Sequence, residues 1–426
     1  MKKKILFGCT VAALQLLSSC SSSQPKVEYA WLKQAIDVSV EQLKETVADV
    51  GDSVCLPRSI WTGYDMGFLY HQLQKDSTDS IRVKPVTHEL GTRRYCFSIY
   101  DWTSGFFPGN LWYAYQLTGD KDLRKHAVKF TNYLYPIREY NGTHDIGFMM
   151  NCSYGNAYRL CPADSVRQAL IQTADNLCGR FNPQIGCIRS WNFGKWNFPV
   201  IIDNMMNLDL LFYVSRLTGD DKYKKLALTH AETTMKNHFR EDHSSYHVVS
   251  YNNDGTIEKK CTHQGQNDAS AWARGQAWGV YGYTSCYRES KDKRFLQQAE
   301  DIASLIMQRV KTDDLVPLWD YDAPDTSQTP RDASAASITA SALIELSTLA
   351  ENGQPYLDYA EKLLKSLSSD AYLAKAGTNQ GFILMHSTGS LPNGSEIDTP
   401  LNYADYYYLE ALLRYMKIKG IDYKDI

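Results

Sequence analysis

The turn Leu117-Thr118-Gly119-Asp120 recurs as Leu217-Thr218-Gly219-Asp220, and each copy separates an aromatic-rich segment of helical period from a second helical segment. Degenerate copies stand at Leu160-Cys161-Pro162-Ala163-Asp164, Glu289-Ser290-Lys291-Asp292 and Glu351-Asn352-Gly353-Gln354-Pro355. Turns of one kind at intervals of roughly 45 to 70 residues mean stacked supersecondary units. A chain built this way is a set of helical hairpins, and the remaining question is how they close.

Apolar residues at helical spacing mark about twelve segments, near 29–49, 105–117, 122–133, 145–159, 164–179, 203–217, 221–237, 270–288, 292–309, 333–350, 354–368 and 402–417. Six antiparallel pairs close most economically into an all-α (α/α)6 toroid, an inner ring of helices inside an outer ring, over 29–426 as one catalytic domain. An open solenoid would need polar capping repeats, and none stands out. The strand-like material lies in two longer connections: Cys187 to Phe198 reads as an aromatic hairpin turning at Gly194, and Tyr246 to Cys261 as another turning at Asn253-Asp254-Gly255. Both lead into polar clusters at one end of the ring, where loops on a rigid scaffold build sites.

Ahead of the helices, Met1-Lys2-Lys3-Lys4, an apolar run to Leu17 and Ser18-Ser19-Cys20 have the form of a bacterial lipoprotein signal over residues 1–19. The run is too short to span a membrane. The expectation is an exported lipoprotein of the cell envelope, lipidated on Cys20 and tethered through residues 20–28. About 400 residues remain, and a hydrophobic content of 43% gives them a sizeable core. The net charge of −3 offers no basic surface for nucleic acid. The other eight cysteines form no CxxC pair and no zinc spacing, so no structural metal is indicated and most are read as small buried residues.

Five clusters at the heads of inner-ring segments carry groups suited to chemistry. Asp101-Trp102-Thr103-Ser104-Gly105 makes a tight entry to a helix, with Trp102 as a stacking wall or a core plug. His144-Asp145-Ile146-Gly147-Phe148 and Ile201-Ile202-Asp203-Asn204-Met205-Met206-Asn207 each place an aspartate before an apolar helix. Each aspartate alone reads as a helix cap as readily as a catalyst. Two of them facing one another across a toroid's mouth are what glycosidic chemistry uses. Thr262 to Trp278 sets Ser270, Arg274 and Trp278 on one helical face, where Arg274 suits a bidentate grip on a carboxylate or an internal salt bridge with Asp145 or Asp203. Met385 to Ser390 is a small polar loop before the last helix.

Taken together, His-Asp-Ile-Gly-Phe (144–148), Ile-Ile-Asp-Asn-Met-Met-Asn (201–207), His-Gln-Gly (263–265) and Trp-x-Arg-Gly-x-x-Trp (272–278) resemble the unsaturated glucuronyl hydrolases of glycoside hydrolase family 88, over roughly residues 30–418. The related unsaturated rhamnogalacturonyl hydrolases lack the acid of the first motif. The resemblance implies Asp203 as general acid/base and Asp145 as partner carboxylate. It further implies Thr262, His263, Gln264, Arg274 and Trp278 as substrate contacts, Trp102, Trp191 and Trp272 as aromatic walls, and Ser387 on the aglycone side. The implied substrate is a lyase-generated, glycosaminoglycan-type oligosaccharide ending in a C4=C5 unsaturated uronate, and no cofactor is implied. Apolar flanks on Asp203 favour a raised pKa. Competing readings are an inverting glycosidase acting on saturated glycosides, a glycan-binding lipoprotein without catalysis, and an epimerase using His144, His263 and His386.

Overall fold

The computed structural model describes residues 28–62 and 89–426. The expected signal segment, Cys20 and the tether up to residue 27 lie outside the described residues. All twelve expected helical segments are helical: α1 Ala30–Val50, α2 Phe106–Thr118, α3 Lys121–Tyr133, α4 from Ile146 to Leu160, α5 Asp164–Cys178, α6 Asn204–Thr218, α7 Asp221–Asn237, α8 Ala273–Ser290, α9 Lys293–Arg309, α10 Ala333–Ser347, α11 Gln354–Leu367 and α12 Asn402–Lys419. The repeated turn has a physical cause. Gly119 and Gly219 end their helices with φ of 74° and 75°, a left-handed backbone that suits glycine. The next residue caps the following helix: Asp120 Oδ1 accepts from Asp122 N–H at 2.8 Å and Asp220 Oδ1 from Lys222 N–H at 2.9 Å. In the copy at 289–292, Lys291 takes the left-handed position and Asp292 the cap.

The even-numbered helices are buried on nearly every side. In α10 the run from Ala333 to Ile344 is buried throughout, and its alanines and serines let neighbouring backbones approach. The odd-numbered helices bury one stripe, as α11 does with Leu357, Ala360, Leu363, Leu364 and Leu367. Helix α2 packs on the middle of α4, α4 on α6, α6 on α8, α8 on α10, α10 on α12, and α12 back on α2, so the inner ring is closed. It is an (α/α)6 toroid, and one continuous apolar cluster runs from α1 to α12.

Three local expectations are corrected. Helix α4 is not a uniform α-helix: Ile146–Met150 passes through a π-helical turn, Asn151–Gly155, into Asn156–Leu160. The helix packs here against Gly105 and Gly109, where an added Cβ would lie 2.2 Å from Met149 O, just before the turn, and 2.8 Å from Cys152 O within it. The Cys187–Phe198 segment is not a self-paired hairpin either. Cys187–Ile188 pairs with Phe181–Asn182, whereas Pro199–Ile201 joins Val248–Tyr251 and Ile257–Cys261 in a three-stranded antiparallel sheet. That sheet buries Val200 and Val249, a gain that self-pairing would forgo. The hairpin at Gly255 (φ 86°) forms as expected. Helix α8 begins at Ala273, so Ser270 lies before it, bonding Asp320 Oδ2 at 2.8 Å.

Candidate active site

The segments preceding the six inner helices gather at one end of the ring, and Asp145 and Asp203 stand at the heads of two neighbours, α4 and α6. Asn207 rivets this pair: its Oδ1 accepts Phe148 N–H at 2.8 Å. Gly147 permits the approach, since a Cβ there would lie 2.5 Å from Asn207 Oδ1. Neither aspartate caps its helix through its side chain, in contrast to Asp120, Asp220, Asp292 and Asp332. Asp145 is instead held by Thr143, whose hydroxyl donates to Oδ2 at 2.7 Å, and by His144, whose Nε2 lies 3.2 Å from Oδ1.

Asp203 is only 8% exposed, and its Oδ2 has no hydrogen-bond partner in the protein. Burial pushes its carboxyl up to about 7; Arg274 opposes the shift and the Asp145 charge reinforces it. A shift alone does not mark a catalyst. Asp405 is also pushed to about 7 by burial, but its two oxygens accept Ile383 and Leu384 N–H, so it staples a loop. The unpartnered oxygen beside a second carboxylate singles out Asp203.

His247, which the sequence reading did not single out, completes this corner. Its Nδ1 accepts the N–H groups of His263 at 3.0 Å and Gln264 at 3.1 Å, so the ring proton sits on Nε2, 3.6 Å from Asp203 Oδ2. Burial holds its pKa well below the usual value and the ring stays neutral. The one available signal was its place at the start of the Val248–Tyr251 strand.

The remaining expected residues fall into three groups. Arg274 is buried and engaged: Nη1 donates to Asp332 Oδ2 at 2.9 Å and Thr388 O at 2.6 Å, and Nη2 to Gly389 O at 2.5 Å. The internal salt bridge is therefore present, with Asp332 as partner in place of Asp145 or Asp203. Trp272 lies against this guanidinium, 4.4 Å from its ring centre, and 4.7 Å from the His247 ring. Trp278, expected as a substrate contact, is fully buried and has no face open to a sugar: it packs between Phe148 and Tyr407 as part of the floor, and its indole N–H side works to lower the Asp203 pKa.

Thr262 shapes its loop by accepting Gly265 N–H at 2.8 Å, and Gln264 Nε2 reaches Gly389 O at 3.3 Å. Ser387 lies buried in the Ser387–Ser390 strand, its hydroxyl without a partner in the protein. Trp191 stacks on Phe193 at 4.7 Å and meets His263 at 5.5 Å, one side of the mouth. Trp102 packs on Tyr403 at 4.9 Å and on Phe148 at 5.8 Å, joining the same aromatic floor from the side of α2. His386, an epimerase candidate, pairs with Asp398 at 2.6 Å on the hairpin before α12.

Residues 85–415 match the family described as Glycosyl Hydrolase Family 88, and residues 1–75 match a domain of unknown function. That boundary is not a structural one, because α1 packs into the same ring. An unsaturated glucuronyl hydrolase of Formosa agariphila is 47% identical over 74% of this chain and 80% of its own length. An unsaturated chondroitin disaccharide hydrolase of Streptococcus pyogenes is 33% identical over 74% and 82%. Among solved structures, an unsaturated glucuronyl hydrolase specific for heparin superposes with a TM-score of 0.83 at 49% identity, covering 92% of this chain and 99% of that one. The unsaturated glucuronyl hydrolase of Bacillus sp. GL1 gives 0.79 at 28%, covering 92% and 98%. With the family's match spanning the inner ring and both aspartates at its mouth, the chain belongs to Glycosyl Hydrolase Family 88 and is a glycoside hydrolase of the unsaturated glucuronyl hydrolase type.

Proposed function

We propose that this enzyme hydrates the C4=C5 double bond of an unsaturated uronate at the non-reducing end of a glycosaminoglycan-derived oligosaccharide, with Asp203 as general acid/base. Such a uronate is an enol ether conjugated to its own carboxylate. Asp203, protonated, delivers its proton to C4, and positive charge develops on C5 and the ring oxygen. Water adds at C5 and gives a proton back to the Asp203 carboxylate, which restores the acid. The hemiketal then opens and the next sugar leaves.

A group that must donate and then accept works best with a pKa near the operating pH. The observation carrying this reading is the buried Asp203 carboxyl at about 7, one oxygen unpartnered, beside Asp145. The Nε2–H of neutral His247 faces that oxygen and supports the carboxylate formed after proton delivery. Asp145 keeps a negative charge near Asp203 and offers an acceptor to the sugar. Arg274 acts one step back, holding the Thr388–Gly389 backbone that Gln264 also touches.

The test is direct. Protein lacking residues 1–20, mixed with unsaturated glycosaminoglycan disaccharides, should bleach the near-UV absorbance of the double bond in the presence of a chelator. Cleavage of saturated glucuronides with that absorbance intact would establish an inverting glycosidase instead. We also infer from the Leu17-Ser18-Ser19-Cys20 motif that the enzyme works as a lipoprotein of the cell envelope, anchored through Cys20.

A further inference from the structure

The ring holds a second cavity. It fills about 230 Å³ of the lumen and is lined from five of the six inner helices, α2, α4, α6, α8 and α12. Arg159, Arg216 and Arg288 reach it from the last turns of α4, α6 and α8, so it lies at the end opposite the catalytic mouth. Phe148 and Tyr407, which with Trp278 make the floor of the catalytic end, line it from above. One layer of side chains therefore separates the two spaces.

Its deep wall is already satisfied. Glu410 accepts the hydroxyls of Ser341 at 2.6 Å, Tyr113 at 2.8 Å and Tyr281 at 3.1 Å. Arg414 pairs with Glu345 at 2.9 Å, and Arg288 serves Asp209, Glu345 and Glu289 at 2.9, 2.7 and 2.9 Å. Arg216 pairs with Glu289. With Arg159 at the rim, four guanidiniums balance the four carboxylates of the wall and the layer behind it. Other groups face the cavity with hydrogen-bonding capacity to spare. Among the described residues, Asp209 is bonded through Oδ1 alone, which leaves Oδ2 free. Arg159 uses only Nη2, on Asn156 Oδ1 at 2.7 Å, and the Tyr213 hydroxyl reaches only Gly155 O, at 3.4 Å. Asn151 opens the π-helical turn and makes no side-chain hydrogen bond; its Oδ1 occupies the room left by Gly155, 2.7 Å from where a Cβ would stand. Turns of this kind are frequent at functional sites, and this one lines the cavity through Asn151, Cys152 and Gly155.

We propose that this far-end lumen is a second binding site, separate from the catalytic one, for an uncharged monosaccharide, with Asn151, Arg159, Asp209 and Tyr213 bonding its hydroxyls. Donors and acceptors stand there side by side, as a ring of hydroxyls requires. The rings of Tyr113, Tyr213 and Tyr406 offer apolar faces to its C–H groups. Cavities for drug-sized ligands run to roughly 300–1,000 Å³, so this one suits a single sugar and not a chain. A charged sugar would lose its hydration against a wall of no net charge, which is costly, so the neutral compound is selected.

Saturation-transfer NMR tests this with glucose, N-acetylglucosamine and glucuronate as probes at millimolar concentration. The protein carries Asp203→Asn, so that an unsaturated disaccharide added as competitor persists at the mouth. At least one neutral sugar should bind and stay bound when the disaccharide is present, and glucuronate should not occupy the lumen. Asn151→Ala/Arg159→Gln removes two of the groups with spare capacity and should weaken the neutral sugar by about tenfold. The same pair of changes in the wild-type background should alter turnover by less than about twofold, since neither residue touches the catalytic corner. Tyr213→Phe, expected to weaken binding by about threefold, keeps the test valid if the double variant does not fold. Displacement of the sugar by the disaccharide would put it at the mouth, and undiminished binding by the variants would put it elsewhere on the surface; either result overturns the lumen site. So does the absence of binding by both neutral sugars. Glucuronate bound in the lumen more tightly than glucose overturns the choice of an uncharged ligand. A disaccharide that does not bind counts against the function proposed above, and the variants then decide the lumen site alone.

Discussion

Replacing Asp203 by asparagine separates its chemical role from every structural one. The side chain keeps its size, and because Asp203 makes no side-chain cap bond, helix α6 loses nothing at its start. Asparagine cannot deliver a proton to C4 or take one from water, so turnover should fall by roughly 10²–10⁴-fold or more. Stability gives a second, independent reading. The Asp203 carboxyl lies at about 7 against an ordinary 3.8, a gap of about 3 units, and at about 1.4 kcal/mol per unit this amounts to about 4 kcal/mol. The sign follows from proton uptake. A carboxyl with a raised folded-state pKa contributes stability that is present below its unfolded pKa and is lost as pH rises through about 7.

Asparagine has no such titration, and any fixed cost of its amide is the same at every pH. Between pH 5 and pH 8 the wild type should therefore lose roughly 2–3 kcal/mol relative to Asp203→Asn. Denaturant unfolding of both proteins at the two pH values measures this, beside turnover on an unsaturated disaccharide. A folded Asp203→Asn protein that still bleaches the double bond at near wild-type rate refutes the mechanism. Parallel pH–stability curves refute the elevated pKa.

Asp145→Asn should leave a folded enzyme with reduced turnover, and removing its negative charge should lower the Asp203 pKa; the alkaline limb of the pH–rate profile then moves to lower pH, and an unmoved limb would mean that the two carboxylates are uncoupled. Arg274→Lys keeps the charge but cannot serve Asp332, Thr388 and Gly389 together, so at least one buried carbonyl loses its donor and stability should drop by about 1–3 kcal/mol. Unchanged stability with lost activity would instead return Arg274 to direct substrate binding. Cys20→Ala should move the protein out of the membrane fraction while the released domain stays active, and an unchanged membrane fraction would dispose of the anchor.

Much of this architecture is legible in the chain because it is local. The Gly-Asp turns encode a left-handed helix end and the next helix's cap within a few residues, so helix number and order follow from spacing, and twelve paired segments leave a closed ring as the economical solution. Asp203 stands out for a related reason: a carboxylate amid Val200, Ile201, Ile202, Met205 and Met206 is costly to bury without purpose. What spacing cannot express is which side chain meets which across the ring. Arg274 and Trp278 share a helical face, yet its position in the ring sends one to Asp332 and two strand carbonyls and the other into a closed floor. His247 gained its role because two backbone N–H groups from a distant loop fix its tautomer. Cys187–Ile188 pairs back with Phe181–Asn182, and the strand that follows, Pro199–Ile201, finds its partner about fifty residues on in Val248–Tyr251, where Val200 and Val249 are buried together. Local hydrogen bonding and periodicity are written in sequence order, whereas desolvation, ion pairing and long-range strand choice depend on what the closed ring brings together.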